Sequence, residues 1–296
     1  MNTQTLTATT VPVSAPRRAG STVASKPNGK SKAKPGSLTF YRRHESLILG
    51  GGTMLGLLLI WEACWQAGMI SPLFFSGPSA IADKFVELLM SGELSRNAAY
   101  SGSNYFIGFF LALVIAVPLG IVLGWYRSLL LSFDPLINAL YATPRIALYP
   151  LIVIWFGIGS GSKIFVVFLS ALLPILVNTI AGVRNIDADL LKAARAFCAT
   201  DGQIFLTVAL PSSVPFILTG VRQGVAHGLI GVIIAELSAG SEGIGYMIAY
   251  AGQMFATDTL MVGVLLTAFA GMTITWIAGR IQNHFERWRP ARPGAR

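Results

Sequence analysis

Apolar residues along the chain gather into six runs that are long enough, or nearly so, to cross a hydrocarbon core, which takes about 20 residues. The runs fall at about 46–69, 103–126, 135–156, 163–182, 216–237 and 261–278. Each predicts a helix, since only a helix or a closed barrel satisfies its backbone in lipid. Glu62 sits inside the first run and is costly if it faces lipid. A polar, helix-prone stretch at 70–100 follows, carrying Asp83, Lys84, Glu87, Glu93 and Arg96, and is expected on the outside. Pro144 and Pro150 interrupt the third run, and Gly157, Gly159 and Gly161 make a short turn after it. In the fifth run Gly220, Gly224, Gly228 and Gly231 stand three or four positions apart. Such spacing lets backbones approach closely, so this helix is expected at the centre of the bundle. Residues 240–260 are too broken by glycine and polar groups for an ordinary span, and are expected outside or partly re-entrant.

Between the fourth and fifth runs the pattern changes to two short amphipathic helices around a turn, at 190–211. Leu190, Ala194 and Phe197 recur at helical spacing in the first, with Lys192 and Arg195 on other faces. In the second, Ile204 and Val208 share a stripe beside Phe205 and Ala209, and Pro211 is expected to close the helix. Thr200 and Gln203 fit a capping box, which puts the break near residues 200–202. A hairpin of this size has no core of its own and requires a partner.

Composition agrees with a membrane protein: 53% of the 296 residues are hydrophobic and 12% charged. The net charge of +9 does not read as a nucleic-acid face. Basic residues cluster at both ends and in short loops, among them Arg42, Arg43, Arg127 and Arg184, as the positive-inside rule expects for cytoplasmic segments. Residues 1–45 are expected to be a disordered basic cytoplasmic tail. A targeting peptide is the weaker reading there, because no apolar core lies in it. Residues 46–285 would form the transmembrane domain and 286–296 a second basic cytoplasmic tail. Cys64 and Cys198, the two cysteines, support neither a disulfide framework nor a zinc site.

The pattern of Ala193, Ala194, a small residue at Cys198, then Val208, Leu210 and Pro211 resembles the signature of binding-protein-dependent ABC importer permeases. The stretch ATPRIALYPLIVIWFGIGSGSKI at 142–164 is similar to the branch that imports sulfonates, nitrate and taurine. The resemblance covers about residues 47–285. It implies an all-α membrane protein of about six transmembrane helices, a type I ABC importer permease-like bundle, in a bacterial inner membrane with both termini cytoplasmic. It also implies a second permease copy, two cytoplasmic ATPase subunits seated at 190–211, and an external solute-binding protein. ATP would be used by the partner ATPase, and no cofactor or metal is expected in this chain. Two positions depart from the signature. Lys192 stands where an acidic residue is usual, and Cys198 where glycine is usual, so a non-glycine residue would have to take a positive φ in the turn.

The candidate ATPase-coupling residues are Leu190, Lys192, Ala193, Ala194, Arg195, Phe197, Cys198, Leu210 and Pro211. Arg145, Arg222, His227 and Glu236 are candidates for the translocation pathway, because ionisable groups within spans usually face a bundle interior or a watery path. Two readings of these four stand side by side: passage of an anionic solute, or pairing with one another and with carbonyls freed by Pro144 and Pro150. No enzyme is expected, since the chain carries no phosphate loop, HExxH or nucleophile elbow. An ATPase-independent secondary transporter or channel is the alternative, but no internal repeat supports it, and the paired helices at 190–211 would then have no purpose.

Overall fold

The computed structural model describes residues 38–69 and 71–285, with side chains from residue 49 onward apart from Arg145. The expected tails therefore lie outside the described residues, except that helix begins at Leu38. The chain divides within its first helix into two compact units, Met1–Thr53 and Met54–Arg296. In the first unit the described residues are one helical segment, where the Thr53 hydroxyl donates to the Leu49 carbonyl at 2.7 Å.

The described residues are helical, without a strand. In order they form α1 (Leu38–Gln66), α2 (Pro78–Met90), α3 (Glu93–Trp125) and α4 (Arg127–Ala142). A 3-10 turn (Arg145–Leu148) and α5 (Tyr149–Phe156) follow, then α6 (Ser160–Arg184), α7 (Ala188–Ala196) and α8 (Asp201–Ile204). A π-helical turn (Phe205–Ala209) leads into α9 (Leu210–Ala239), and α10 (Ile244–Gln253) and α11 (Thr257–Phe285) complete the chain.

Four continuous helical stretches among these are long and apolar enough to cross a membrane: Glu93–Trp125, Ser160–Arg184, Asp201–Ala239 and Thr257–Phe285. A fifth span is formed if α4 and the helix after Pro144 are taken together, and these two bend by 88°. The third apolar run is thus sharply bent at Pro144, the geometry of a broken span or of a re-entrant loop. Pro144 removes a backbone donor and biases the residue before it away from helix, and Thr143 is extended, with ψ 127. The first apolar run lies in α1.

Glu62 answers its own cost locally. Its Oε2 accepts from the backbone N–H of Ser79 at 3.0 Å in the first turn of α2, and Oε1 accepts from Gln66 Nε2 at 2.7 Å. A carboxylate at a helix N-terminus meets free N–H groups and the positive end of the dipole. Trp61 Nε1 donates to the Ser76 carbonyl at 3.1 Å, so both residues fasten the α1–α2 connection.

α6 is the axis of the bundle. Half of its most apolar window is buried within the chain, against 11% for α11. α3 and α9 lie along it through small residues on both sides. Gly120 of α3 faces Thr179, and Gly124 faces Val183. On α9, a Cβ at Gly220 would lie 2.8 Å from Asn178 Cβ, and one at Gly224 would lie 2.8 Å from Ile175 Cγ1. Real Cβ contacts do not come that close, so the glycine spacing sets the approach of α9 to α6. The fifth run, expected at the centre of the bundle, is instead seated closely against α6, which is the most buried, 50% of its apolar window against 22% for the stretch containing α9. The 240–260 stretch forms α10, whose Ile244, Met247 and Ala251 are buried.

Candidate functional site

The hairpin at 190–211 stands off the bundle. α7 opens with Asp187, whose carboxylate accepts from the Asp189 N–H at 2.8 Å, and it buries none of its residues. Leu190 and Phe197, which would normally seek a core, are 51% and 87% exposed. Lys192, Ala193, Arg195 and Cys198 are exposed as well, and Ala194 is half-buried. Lys192 Nζ reaches only its own helix, pairing with Asp189 at 3.1 Å. Such an exposed pair contributes little to stability, about 0.5 kcal/mol.

The turn is built as its sequence requires. Phe197 N–H donates to Ala193 O, Cys198 N–H to Arg195 O and Ala199 N–H to Ala194 O, which closes the C-terminus of α7. Cys198 takes φ 55, the left-handed conformation that glycine would adopt without strain. The capping box is present in both directions, Gln203 N–H to Thr200 Oγ1 at 3.4 Å and Thr200 N–H to Gln203 Oε1 at 2.8 Å.

The second arm differs from its expected form. Pro211 does not close a short helix; helix runs on unbroken from Asp201 to Ala239. The π-helical turn immediately before the proline explains this. Leu210 N–H donates to Phe205 O, five residues back, which widens the coil where the proline ring would otherwise strike the Thr207 carbonyl. Ile204 is buried and the Phe205 ring meets Trp125 of α3 edge-on at 5.0 Å. Leu210 is half-buried and Pro211 exposed. The hairpin is thus joined rigidly to the helix packed on α6, while its tip is free to be gripped.

The four candidate pathway residues separate. A cleft of about 310 Å³ opens at the α4–α5 break, lined by Tyr141, Thr143, Pro144, Tyr149, Ser170 and His227 among others. His227 is exposed there, its Nδ1 2.9 Å from the Gln223 carbonyl. Arg145 begins the 3-10 turn directly after Pro144, so its backbone adjoins the same cleft. Arg222 lies five positions before His227, about 140° round the helix, and its guanidinium leans on Gly279 of α11 instead.

Glu236 is fully buried in a polar node that includes Lys163, a residue for which the sequence suggested no role. Glu236 Oε2 accepts from Ser101 Oγ at 2.7 Å and from Gly245 N–H at 2.9 Å. Ser101 Oγ accepts from Ile244 N–H, and Asn97 Oδ1 from Gly243 N–H. Lys163 Nζ donates to the carbonyls of Ala239 and Ile158. The carboxylate therefore caps the N-terminus of α10 while the ammonium caps the C-terminus of α9, each charge at the helix end whose dipole it complements. Four helices are pinned by it, and Glu236 does not join Arg222 or His227. Lys163 could have been noticed as a cation at the edge of an apolar run, two residues after the last glycine of the turn.

Residues 116–289 match the family described as "Binding-protein-dependent transport system inner membrane component". The chain belongs to this family. Among its relatives are the taurine transport system permease protein TauC of Escherichia coli K12 and the putative aliphatic sulfonates transport permease protein SsuC of Bacillus subtilis 168. TauC is 31% identical over 82% of this chain and 90% of its own length. SsuC is 32% identical over the same shares, 82% and 90%. The fold matches that of a chain of the MetNI methionine ABC transporter in an inward-facing conformation, with a TM-score of 0.58 at 20% identity, covering 66% of this chain and 97% of that one. This chain is accordingly a transmembrane permease subunit of an ABC importer and an inner-membrane component. It works with ATPase subunits and a solute-binding protein, as permeases of this family do.

Proposed function

We propose that this permease forms the passage for a small anionic solute of the sulfonate, nitrate or taurine kind, as one of two identical chains. Two ATPase subunits would seat on the hairpin formed by α7 and α8, the solute-binding protein would dock at the opposite end, and both termini would lie on the hairpin's side, in the cytoplasm. The chain itself would bind no cofactor; ATP belongs to the ATPase pair. The observation that carries the coupling role is the hairpin: a helix that buries nothing of its own, with Leu190 and Phe197 bare at its tip, continuous through the π-helical turn with α9, which packs on the axial helix α6. Closure of an ATPase pair on that tip would be transmitted along α9 to the cleft at the α4–α5 break. There His227 and the turn begun by Arg145 would meet the solute. The similarity to TauC and SsuC favours a sulfonate, and the solute-binding protein would do most of the selecting.

Co-expression with candidate ATPases, followed by co-purification and uptake of labelled taurine, an alkanesulfonate, nitrate and an aromatic acid, tests this reading. Ala194→Asp should leave the protein inserted while lowering ATPase capture and uptake at least tenfold, since a desolvated unpaired carboxylate in an interface costs more than about 1.4 kcal/mol. Wild-type uptake by Ala194→Asp would remove the hairpin from the coupling role. Uptake of none of the anions, with transport of the aromatic acid, would overturn the solute class alone.

A further inference from the structure

Arg222 and Arg280 are two cations without an acidic partner among the described residues, on the flank of the bundle where α9 and α11 cross. The two helices run antiparallel there. Gln282 Nε2 donates to Thr219 Oγ1 at 3.1 Å, Arg222 lies against Gly279, and Leu229 lies against Gly271 higher up. Arg222 belongs to the apolar run that begins near residue 216, so it sits about 9 Å into that run along the helix. Its guanidinium rests on the glycine, with Cζ 3.5 Å from where a Cβ of Gly279 would be. Arg280, the next residue on α11, stacks over the Trp276 ring with its Cζ 4.7 Å from the centroid. Both arginines are exposed, and neither guanidinium has a hydrogen bond or an ion pair with a described residue; the two ion pairs among the described residues are Lys84–Glu87 and Lys192–Asp189.

An arginine presents five N–H donors and stays charged at any physiological pH. Two such groups left unpaired at the end of the apolar runs call for an anionic partner, and a phosphate diester accepts their forks in bidentate geometry. Trp276, 59% exposed, adds an amphipathic ring of the type that sits at headgroup level. From these contacts we infer that Arg222, Arg280 and Trp276 hold the phosphate of an anionic phospholipid in the leaflet on the hairpin's side. The site is on the opposite side of α9 from the His227 cleft, and needs from the proposed function only that α9 and α11 span the membrane. It takes Arg222 out of the solute pathway, where its sequence position had suggested it.

Native mass spectrometry of the full chain in mild detergent, titrated with phosphatidylglycerol or phosphatidylcholine, tests the inference. Wild type should bind phosphatidylglycerol preferentially. The Arg222→Gln/Arg280→Gln double variant should bind it about tenfold more weakly, with phosphatidylcholine unchanged. Arg280→Gln alone, at an exposed position that tolerates substitution, should weaken it severalfold and covers the case in which the double variant does not fold. Equal phosphatidylglycerol binding by wild type and Arg280→Gln would overturn the site. Displacement of the lipid by millimolar inorganic phosphate would show that a free anion is the ligand and overturn the lipid assignment. A raised KM for solute uptake in Arg222→Gln, with lipid binding unaltered, would return Arg222 to the pathway and refute the inference, while leaving the hairpin's role untouched.

Discussion

Cys198 is the residue at which the chain departs from its family's pattern and still folds to it. The turn demands a left-handed residue between α7 and α8, and cysteine takes φ 55 to supply it. A side chain in that region costs about 1–2 kcal/mol relative to glycine. Cys198→Gly should therefore relieve strain without altering a contact, since Cys198 is exposed. Amide exchange at residues 193–199 should slow by about fivefold or more, with uptake kept at the wild-type level. Unchanged or faster exchange would mean that the glycine's extra freedom in the open state offsets the strain. Lys192 is a milder departure. Its ammonium reaches Asp189 within the same helix, and no described residue outside α7 depends on it.

At the scale of elements, the π-helical turn between α8 and α9 decides how the hairpin's movement reaches the core. The sequence suggested that Pro211 ends a helix, because proline usually does. The structure accommodates the ring with one i→i+5 turn, so that 39 residues run on as one helical stretch. Pro211→Ala removes the reason for the wide turn. Phe205–Ala209 is then free to anneal to an α-helix, rotating the hairpin relative to α9 by about 100°, one residue's worth of helix. We expect ATPase subunits still to bind, but solute moved per ATP hydrolysed to fall severalfold, measured in proteoliposomes containing the assembled transporter. An unchanged ratio would show that the π turn is only the proline's local accommodation.

For the whole molecule, the node around Glu236 and Lys163 fixes how α3, α6, α9 and α10 sit together. Its charges cap two helix ends and are buried, so the bundle's end opposite the hairpin is held by hydrogen bonds that lipid and water do not reach. Glu236→Ala would strand the Gly245 N–H and the Ser101 hydroxyl, which both donate to Glu236 Oε2, at a cost of about 3 kcal/mol. Thermal unfolding of the detergent-purified protein should then shift down by several degrees. Glu236→Gln keeps an acceptor for Ser101 and Gly245 and should lose much less. An Ala variant as stable as the Gln variant would mean that water satisfies the node.

How much of this was legible in the chain depends on the range of the forces involved. Apolar runs, the glycine spacing of α9 and the Thr200–Gln203 capping box are local patterns with local consequences, and they determined the helices, the close approach of α9 to a neighbour and the hairpin. The basic ends and the hairpin signature determined the kind of protein. Three things were settled only by packing. The third run bends by 88° at Pro144, because the kink angle depends on what each half packs against. The helix passes through Pro211, because a single wide turn offsets a clash that propensity alone counts as terminal. The four ionisable residues were indistinguishable along the sequence, where each was simply a charge in an apolar run. Their partners come from distant segments, such as the Ser101 hydroxyl that donates to Glu236 from 135 residues away. Tertiary structure sent Glu236 to a buried node, Arg222 to the flank of α11 and His227 to the cleft, because whether a charge is tolerated in a membrane depends on which groups the fold brings to it.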